Sequence, residues 1–164
     1  MNALADRVAG ELRRRGWRLI TAESCTGGLI ASTLTSIPGS SEWFEGGFVT
    51  YQPRTKIRLL GVSPETIERY TVVSEPVARA MALGALERSD AEIAVSVTGV
   101  AGPGGGDVVT PVGTVWLAWA LKDPEPACVQ ASEFEFDGDR ASVRDEAVHA
   151  ALDGLARALA NSSG

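Results

Sequence analysis

Residues 17–37 have the sequence WRLITAESCTGGLIASTLTSI, and this stretch indicates the fold class. Its first part, Trp17–Thr21, is short and mostly apolar, which is typical of a buried strand. Its last part, Gly27–Ile37, carries apolar side chains at helical spacing, which predicts a helix with one buried face. A strand that leads through a tight turn into a helix is the basic unit of α/β proteins.

The rest of the chain continues the alternation of strands and helices. Strands are predicted over Phe44–Tyr51, Ile93–Thr98, Val112–Leu121 and Cys128–Phe136, and helices over Leu4–Gly16, over Pro53–Gly61 and from Ser63, Ser74 and Asp139. The last two strands are predicted to form a hairpin around Asp123–Pro126. We therefore predict one α/β domain over residues 1–164, with helices on both faces of a mixed sheet.

Composition excludes several classes of function. The chain has 164 residues and a formal net charge of −6, from 15 basic and 21 acidic side chains. This balance argues against a nucleic-acid binder held by phosphate contacts. The first residues do not resemble a signal peptide, and no apolar stretch approaches the roughly 20 residues of a membrane span. We expect a cytoplasmic protein that binds neither nucleic acid nor membrane.

Metal chemistry and disulfide chemistry are not expected. The chain contains two cysteines, Cys25 and Cys128, and one histidine, His149. These are too few for a zinc cluster or a disulfide framework. We predict no metal site and no cofactor.

The first candidate for chemistry is the turn Thr21–Gly28. A strand delivers Ser24 to this turn, and the N–H groups at the start of the following helix could bind an anion or an oxyanion. Gly27 and Gly28 permit close approach of a ligand. The alternative is that Ser24 or Thr26 merely caps the helix and the glycines serve packing.

The second candidate is Lys56, in the segment Tyr51–Lys56. It is predicted in the first turn of a helix, where the dipole disfavours a cation, and Arg54 and Arg58 add repulsion. Both effects would lower the pKa of the lysine, and a neutral amine can act as a general base. The alternative is a solvated surface lysine.

The third candidate is the glycine-rich segment Thr98–Gly106, which has five glycines in the eight residues after Thr98. Such a segment can wrap closely around a ligand. It is not a P-loop, because no Lys-Ser/Thr pair follows, and Asp107 stands where a dinucleotide-binding pattern requires glycine. A purely structural turn is the alternative.

Taken together, these segments resemble one family. The matching motifs are Ala22–Gly28 (AESCTGG), Ile37–Ser41 (IPGSS), Tyr51 with Lys56, Val73–Glu75 (VSE) and Thr98–Gly105 (TGVAGPGG). They are similar, in order and spacing, to those of the CinA C-terminal domain family, over roughly residues 5–160. The resemblance implies a three-layer α/β/α sandwich with a mixed sheet. It also implies an amidohydrolase that converts nicotinamide mononucleotide to nicotinate mononucleotide and ammonia.

The resemblance further implies roles for individual residues. Ser24 would be the nucleophile, Lys56 and Tyr51 would activate it, and Thr98 would assist. For substrate binding we expect main-chain N–H groups of Thr26, Gly27 and Gly28 at the oxyanion, and Gly99, Gly102, Gly104 and Arg140 near the nucleotide and its phosphate. Cys25 is the rival nucleophile, because a helix N-terminus lowers the pKa of a thiol.

The chain also departs from the family pattern. Pro53 replaces a usual Asn, Thr71-Val72 replaces Gly-Ala, and Thr110 replaces Lys. These changes leave open a second reading, a nucleotide-binding or regulatory module without turnover. Trp43 and Phe44 are expected to be exposed, which suggests a homo-oligomer.

Overall fold

A five-stranded mixed sheet forms the centre of the molecule. The computed structural model describes residues 2–123 and 127–162. The strands are β1 (Leu19–Glu23), β2 (Phe44–Val49), β3 (Ile93–Gly99), β4 (Thr114–Leu121) and β5 (Cys128–Glu135). Their spatial order is β2-β1-β3-β4-β5. Strand β1 is parallel to β2 and β3, and β4 is antiparallel to β3 and β5, so the predicted mixed sheet and hairpin are confirmed.

Helices cover both faces of this sheet. They are α1 (Asn2–Arg15), α2 (Leu29–Thr35), α3 (Pro53–Leu60), α4 (Pro64–Tyr70), α5 (Glu75–Glu87) and α6 (Arg140–Asn161), with a short 3-10 helix over Ser40–Glu42. Helices α1, α2 and α6 bury their apolar sides on one face, and α3, α4 and α5 on the other. The result is the predicted α/β/α sandwich.

Two glycines allow close packing within the helical layers. Gly84 of α5 lies against the main-chain carbonyl of Leu60, where an added Cβ would collide with the oxygen. Gly154 of α6 lies against the ring of Trp119, whose Nε1 donates a hydrogen bond to the carbonyl of Ala151 at 3.0 Å. Helix α3 is therefore fixed against α5, and α6 against the sheet.

The carboxyl ends of the parallel strands meet at one edge of the sheet. The N–H of Ser24, just after β1, donates to the carbonyl of Val97 in β3 at 3.0 Å. The N–H of Thr50, just after β2, donates to the carbonyl of Glu23 at 2.8 Å. The residues that follow β1, β2 and β3 are thus brought together, where ligands bind in open α/β sheets.

The predicted start of one helix and the predicted exposure of Trp43 and Phe44 were wrong. Helix α2 begins at Leu29 rather than Gly27, because Gly27 (φ +59°) and Gly28 (φ +101°) adopt left-handed conformations that a helix cannot contain. Trp43 is fully buried in the core between the sheet and α1, α2 and α6, and Phe44 is partly buried. The prediction of a homo-oligomer was based on the exposure of these two residues, and it therefore has no support from them. Of the predicted hairpin turn, residues 124–126 lie outside the described residues.

No helix in residues 2–123 and 127–162 combines the length and apolarity that crossing a membrane requires.

Candidate active site

Ser24 lies at the bottom of a pocket, immediately beyond the end of β1. Its side chain is almost completely buried, and its Oγ is 2.9 Å from Nζ of Lys56. These two residues are 32 positions apart in the chain: Ser24 follows β1, and Lys56 lies in α3, which follows β2. The structure therefore brings the predicted nucleophile and the predicted base into direct hydrogen-bond contact.

Lys56 is a buried lysine whose amine is surrounded by oxygen atoms. Its Nζ lies 2.6 Å from the carbonyl oxygen of Thr50 and 3.4 Å from that of Tyr51, in addition to Ser24 Oγ. A neutral amine has two N–H groups and one lone pair. Donation to the two carbonyls leaves the lone pair for the hydroxyl proton of Ser24.

The pKa of Lys56 falls from 10.5 to about 8 because burial removes water from the charged ammonium. The Cys25 thiol has a smaller, opposite effect. The predicted direction is confirmed, but the predicted cause was wrong. Burial, rather than the helix dipole or the neighbouring arginines, lowers this pKa.

The buried Glu23 organises the turn that follows it. Its carboxylate accepts hydrogen bonds from Thr26 Oγ1 at 2.6 Å and from the N–H groups of Ile30 and Ala31 at 2.8 and 3.0 Å. A carboxylate thus caps the first turn of α2, where the dipole favours negative charge. Sequence reasoning missed this role, although an acidic residue at the end of a buried strand, just before a helix, was a visible signal.

Arg144 of α6 binds the same turn from the other side. Its Nε and Nη2 donate to the carbonyl oxygens of Cys25 and Thr26 at 3.2 and 3.1 Å. Sequence reasoning missed this residue too. Its spacing of four from Arg140 places both arginines on one face of α6, which was the available signal.

A pocket of about 280 Å³ opens in front of Ser24. The predicted site residues that line it are Ser24, Tyr51, Lys56, Thr98, Gly99, Gly102, Gly104 and Arg140, and other lining residues include Cys25, Val72 and Val73. Thr26, Gly27 and Gly28 do not line it. Thr26 is completely buried, and the N–H of Gly27 donates to the carbonyl of Ser24 at 3.0 Å.

Arg140 and Tyr51 form the rim of the pocket. Nη2 of Arg140 donates to the hydroxyl oxygen of Tyr51 at 2.9 Å, and Nη1 donates to the carbonyl of Gly102 at 2.8 Å. Tyr51 is half exposed, and it meets Lys56 through its main-chain carbonyl. In this arrangement the Tyr51 hydroxyl binds Arg140, and Lys56 contacts Ser24 directly rather than through Tyr51.

Thr98 closes the opposite wall. It is buried, and its Oγ1 donates to the carbonyl of Val72 at 2.9 Å. This bond ties the end of β3 to the segment between α4 and α5. That segment includes Thr71, which has a φ of +66°.

The pKa of the Cys25 thiol is raised, whereas a lowered pKa was predicted. Burial raises the pKa of its thiol to about 11, and α2 begins only at Leu29, too far away to activate it. A thiol with this pKa is almost entirely protonated at neutral pH and is a poor nucleophile. The geometry therefore favours Ser24 over Cys25.

A family model for the CinA C-terminal domain matches residues 1–159. The chain belongs to this family. Its match to the model covers all six helices except the last residues of α6.

Relatives within the CinA family fall into two lengths. The nicotinamide-nucleotide amidohydrolase PncC of Enterobacter agglomerans is 49% identical over 147 residues, which are 90% of this chain and 88% of that protein. The PncC protein of Escherichia coli K12 is 47% identical over 152 residues, with 93% and 90% covered. The CinA-like protein of Chlorobaculum tepidum is 52% identical over 153 residues, but these are 93% of this chain and only 36% of that protein.

Solved structures of CinA-superfamily proteins share the fold. The competence damage-inducible protein A of Klebsiella pneumoniae superposes with a TM-score of 0.93 at 38% identity, over 99% of this chain and 98% of that one. The competence/damage inducible protein CihA of Agrobacterium tumefaciens gives 0.92 at 44% identity, over 98% and 95%.

Two departures from the CinA family pattern, Pro53 and Thr110, are not among the residues that line the pocket. Pro53 is in the first turn of α3, where a missing N–H leaves no acceptor unpaired and the fixed φ suits a helix. Thr110 lies in an exposed loop, where its N–H donates to the carboxylate of Asp107 at 2.6 Å. Neither residue alters the contact between Ser24 and Lys56.

Proposed function

We propose that this protein is an amidohydrolase that converts nicotinamide mononucleotide to nicotinate mononucleotide and ammonia, with Ser24 as its nucleophile. The observation that carries the proposal is the distance of 2.9 Å between Ser24 Oγ and Nζ of the buried Lys56. The substrate comes from the resemblance to the family and from relatives named nicotinamide-nucleotide amidohydrolase, which match this chain over nearly their full length.

In the first step, neutral Lys56 takes the hydroxyl proton of Ser24 as the serine oxygen bonds to the carboxamide carbon. The carbonyls of Thr50 and Tyr51 hold the two N–H groups of the amine, so that its lone pair faces the serine. The ammonium that forms stays between oxygen atoms. General-base assistance of this kind typically contributes about 10²- to 10⁴-fold.

In the second step, the C–N bond breaks. Lys56 returns the proton to the departing nitrogen, ammonia leaves, and the acyl group remains on Ser24 as an ester. Water then attacks the ester, Lys56 removes one of its protons, and the serine leaves as a hydroxyl when that proton is returned. The cycle uses water alone and needs no cofactor.

The main-chain N–H groups expected at the oxyanion do not face the pocket in this structure. Thr26, Gly27 and Gly28 are not among its lining residues, and the N–H of Gly27 donates to the carbonyl of Ser24. We therefore assign no oxyanion donor to these three residues.

Arg140 is the residue that we assign to the substrate phosphate. It lines the pocket, and no ion pair in the described part of the chain uses its charge. The adjacent backbone of Gly99, Gly102 and Gly104 permits close approach of the nucleotide. A guanidinium can bind a phosphate through two parallel hydrogen bonds.

The test is ammonia release from nicotinamide mononucleotide by the purified protein, followed by trapping of the acyl-enzyme. We expect many turnovers per protein molecule and an adduct on the peptide that contains Ser24, with fragmentation placing it on Ser24 and not on Cys25. Binding of the nucleotide without ammonia release would favour the regulatory module instead. An adduct on Cys25 would overturn the assignment of the nucleophile.

A further inference from the structure

Within the described part of the chain, the side-chain hydrogen bonds from helix α6 to the turn that carries the nucleophile come from Arg144. Both hydrogen bonds of Arg144 to this turn join residues more than 100 positions apart. The Ser24 turn belongs to neither a strand nor a helix, so its position depends on such contacts. Arg144 holds it from the layer opposite to the one that supplies Lys56.

Arg144 is committed to main-chain carbonyls rather than to a carboxylate. No ion pair within residues 2–123 and 127–162 includes it. Hydrogen bonds from a charged donor are roughly twice as strong as neutral ones. An arginine with no carboxylate partner, held against two consecutive carbonyls, is well suited to fix a backbone conformation.

The contact also determines which way the peptide groups face. In a planar trans peptide the C=O and the following N–H point in opposite directions. The carbonyls of Cys25 and Thr26 point toward α6, so the N–H groups of Thr26 and Gly27 point away from it. The second of these donates to the carbonyl of Ser24. Arg144 thus helps to hold the rotation of these two peptide units; the Thr26 carbonyl also accepts a hydrogen bond from the N–H of Leu29 at 3.0 Å.

We propose that Arg144 is a positioning residue for Ser24: it holds the Cys25 and Thr26 carbonyls and so keeps Oγ within hydrogen-bond reach of Lys56. The inference rests on the proposed function for the role of Ser24. The proposal gives different roles to Arg140 and Arg144, which lie one helical turn apart on α6. Arg140 lines the pocket, whereas Arg144 is not among the lining residues and acts on the backbone behind it.

The experiment compares Arg144→Met, Arg144→Lys and a matched control, Arg157→Met. Arg157 lies on the same helix and is exposed, with only a surface ion pair to Asp153. Methionine keeps much of the apolar stem of arginine but has no donor, and lysine keeps the charge with a single donor group.

We expect Arg144→Met to lower kcat 10- to 100-fold with KM changed less than twofold. Arg144→Lys should recover part of this loss, and Arg157→Met should match the wild type. The pH midpoint of kcat should stay the same in all three variants, because Arg144 is not among the causes of the Lys56 pKa shift.

A second readout does not depend on the substrate. The rate at which a fluorophosphonate labels Ser24, followed by intact mass, should fall at least tenfold in Arg144→Met and not in Arg157→Met. Labelling of the wild type without ammonia release would contradict the proposed function while leaving the positioning role supported by this difference.

Three results would overturn the positioning role. The first is wild-type labelling rates in Arg144→Met, and the second is a raised KM with unchanged kcat, which would make Arg144 a substrate-binding residue. The third is a lower melting temperature with normal kcat, which would make it merely structural. If Arg144→Met does not fold, Arg144→Lys decides the matter, since a partial loss of kcat is expected there and full activity would contradict the proposal.

Discussion

The two sides of the pocket are built on different physical principles. On the Ser24 side, charged groups fix the backbone: Glu23 accepts three hydrogen bonds, and Arg144 donates to two carbonyls. On the Lys56 side, an amine is enclosed that takes part in no ion pair among the described residues, and its pKa falls to about 8. The nucleophile therefore depends on a polar framework for its position, whereas the base depends on the exclusion of water for its proton affinity.

The largest effect is expected from the nucleophile itself. Ser24→Ala should lower kcat by at least about 10³-fold, because no group remains to form the acyl-enzyme. The melting temperature should change little, since the substitution removes one oxygen atom from a pocket wall. Steady-state ammonia release and a thermal unfolding scan measure both quantities. Activity above a few per cent would show that the nucleophile lies elsewhere.

The base should be nearly as sensitive. We expect Lys56→Arg to lower kcat by about 10² or more with KM little changed, because arginine keeps the charge but cannot take a proton near neutral pH. Kinetics at saturating and limiting nucleotide distinguish the two parameters. Near-normal kcat with a raised KM would mean that Lys56 binds the substrate instead of acting as the base.

The pH profile of the reaction tests directly whether burial lowers the pKa of Lys56. Because the neutral amine is the active form, kcat/KM should rise about tenfold per pH unit below the lysine pKa and level off above about 8. The measurement is the initial rate from pH 6 to pH 10. A rate that is already constant from pH 6, or one that still rises up to pH 10, would contradict the lowered pKa.

The same shift has a consequence for stability. Between pH 8 and 10.5 the unfolded chain binds a proton at Lys56 that the folded chain does not, so the free energy of unfolding should increase with pH in that window. Lys56→Met should therefore stabilise the fold at pH 7 by about 1–3 kcal/mol while it abolishes the base. Urea unfolding at pH 7 measures the difference. A destabilised Lys56→Met would show that the amine is stabilised by its carbonyl partners at pH 7 more than it is penalised by burial.

Arg140 should give a smaller, purely kinetic change. Arg140→Met is expected to raise KM for nicotinamide mononucleotide about tenfold, since about 1.4 kcal/mol of phosphate binding is lost. The change in kcat should be small. Comparison with nicotinamide riboside, which has no phosphate, supplies the control. An equal loss on both substrates would show that Arg140 acts through its bond to Tyr51.

Much of the fold could be predicted because its signals are local. The periodicity of the strands and helices, the proline at the start of α3 and the Asp139 cap of α6 are all visible within short windows. Contacts across the fold left no such signal. The burial of Trp43 could not be predicted from a Trp-Phe pair that is flanked by polar residues on both sides.

For the site, too, local motifs could be predicted from the sequence, whereas contacts across the fold could not. Ser24 and Lys56 were identifiable from their motifs, but the cause of the lysine pKa shift was misassigned, because burial is a property of the assembled layers. Glu23 and Arg144 were missed because their partners are main-chain groups, and a sequence pattern does not show which side chains bind the backbone.

One feature of the packing far from the pocket sets a limit on how the site can vary. Gly84 lets α5 touch the carbonyl of Leu60, which is one helical turn beyond Lys56 on α3. Any side chain at position 84 would push α3 away from α5, and the distance between Lys56 Nζ and Ser24 Oγ would increase. Gly84 thus determines how close Lys56 comes to Ser24, although the helix that contains Gly84 does not line the pocket.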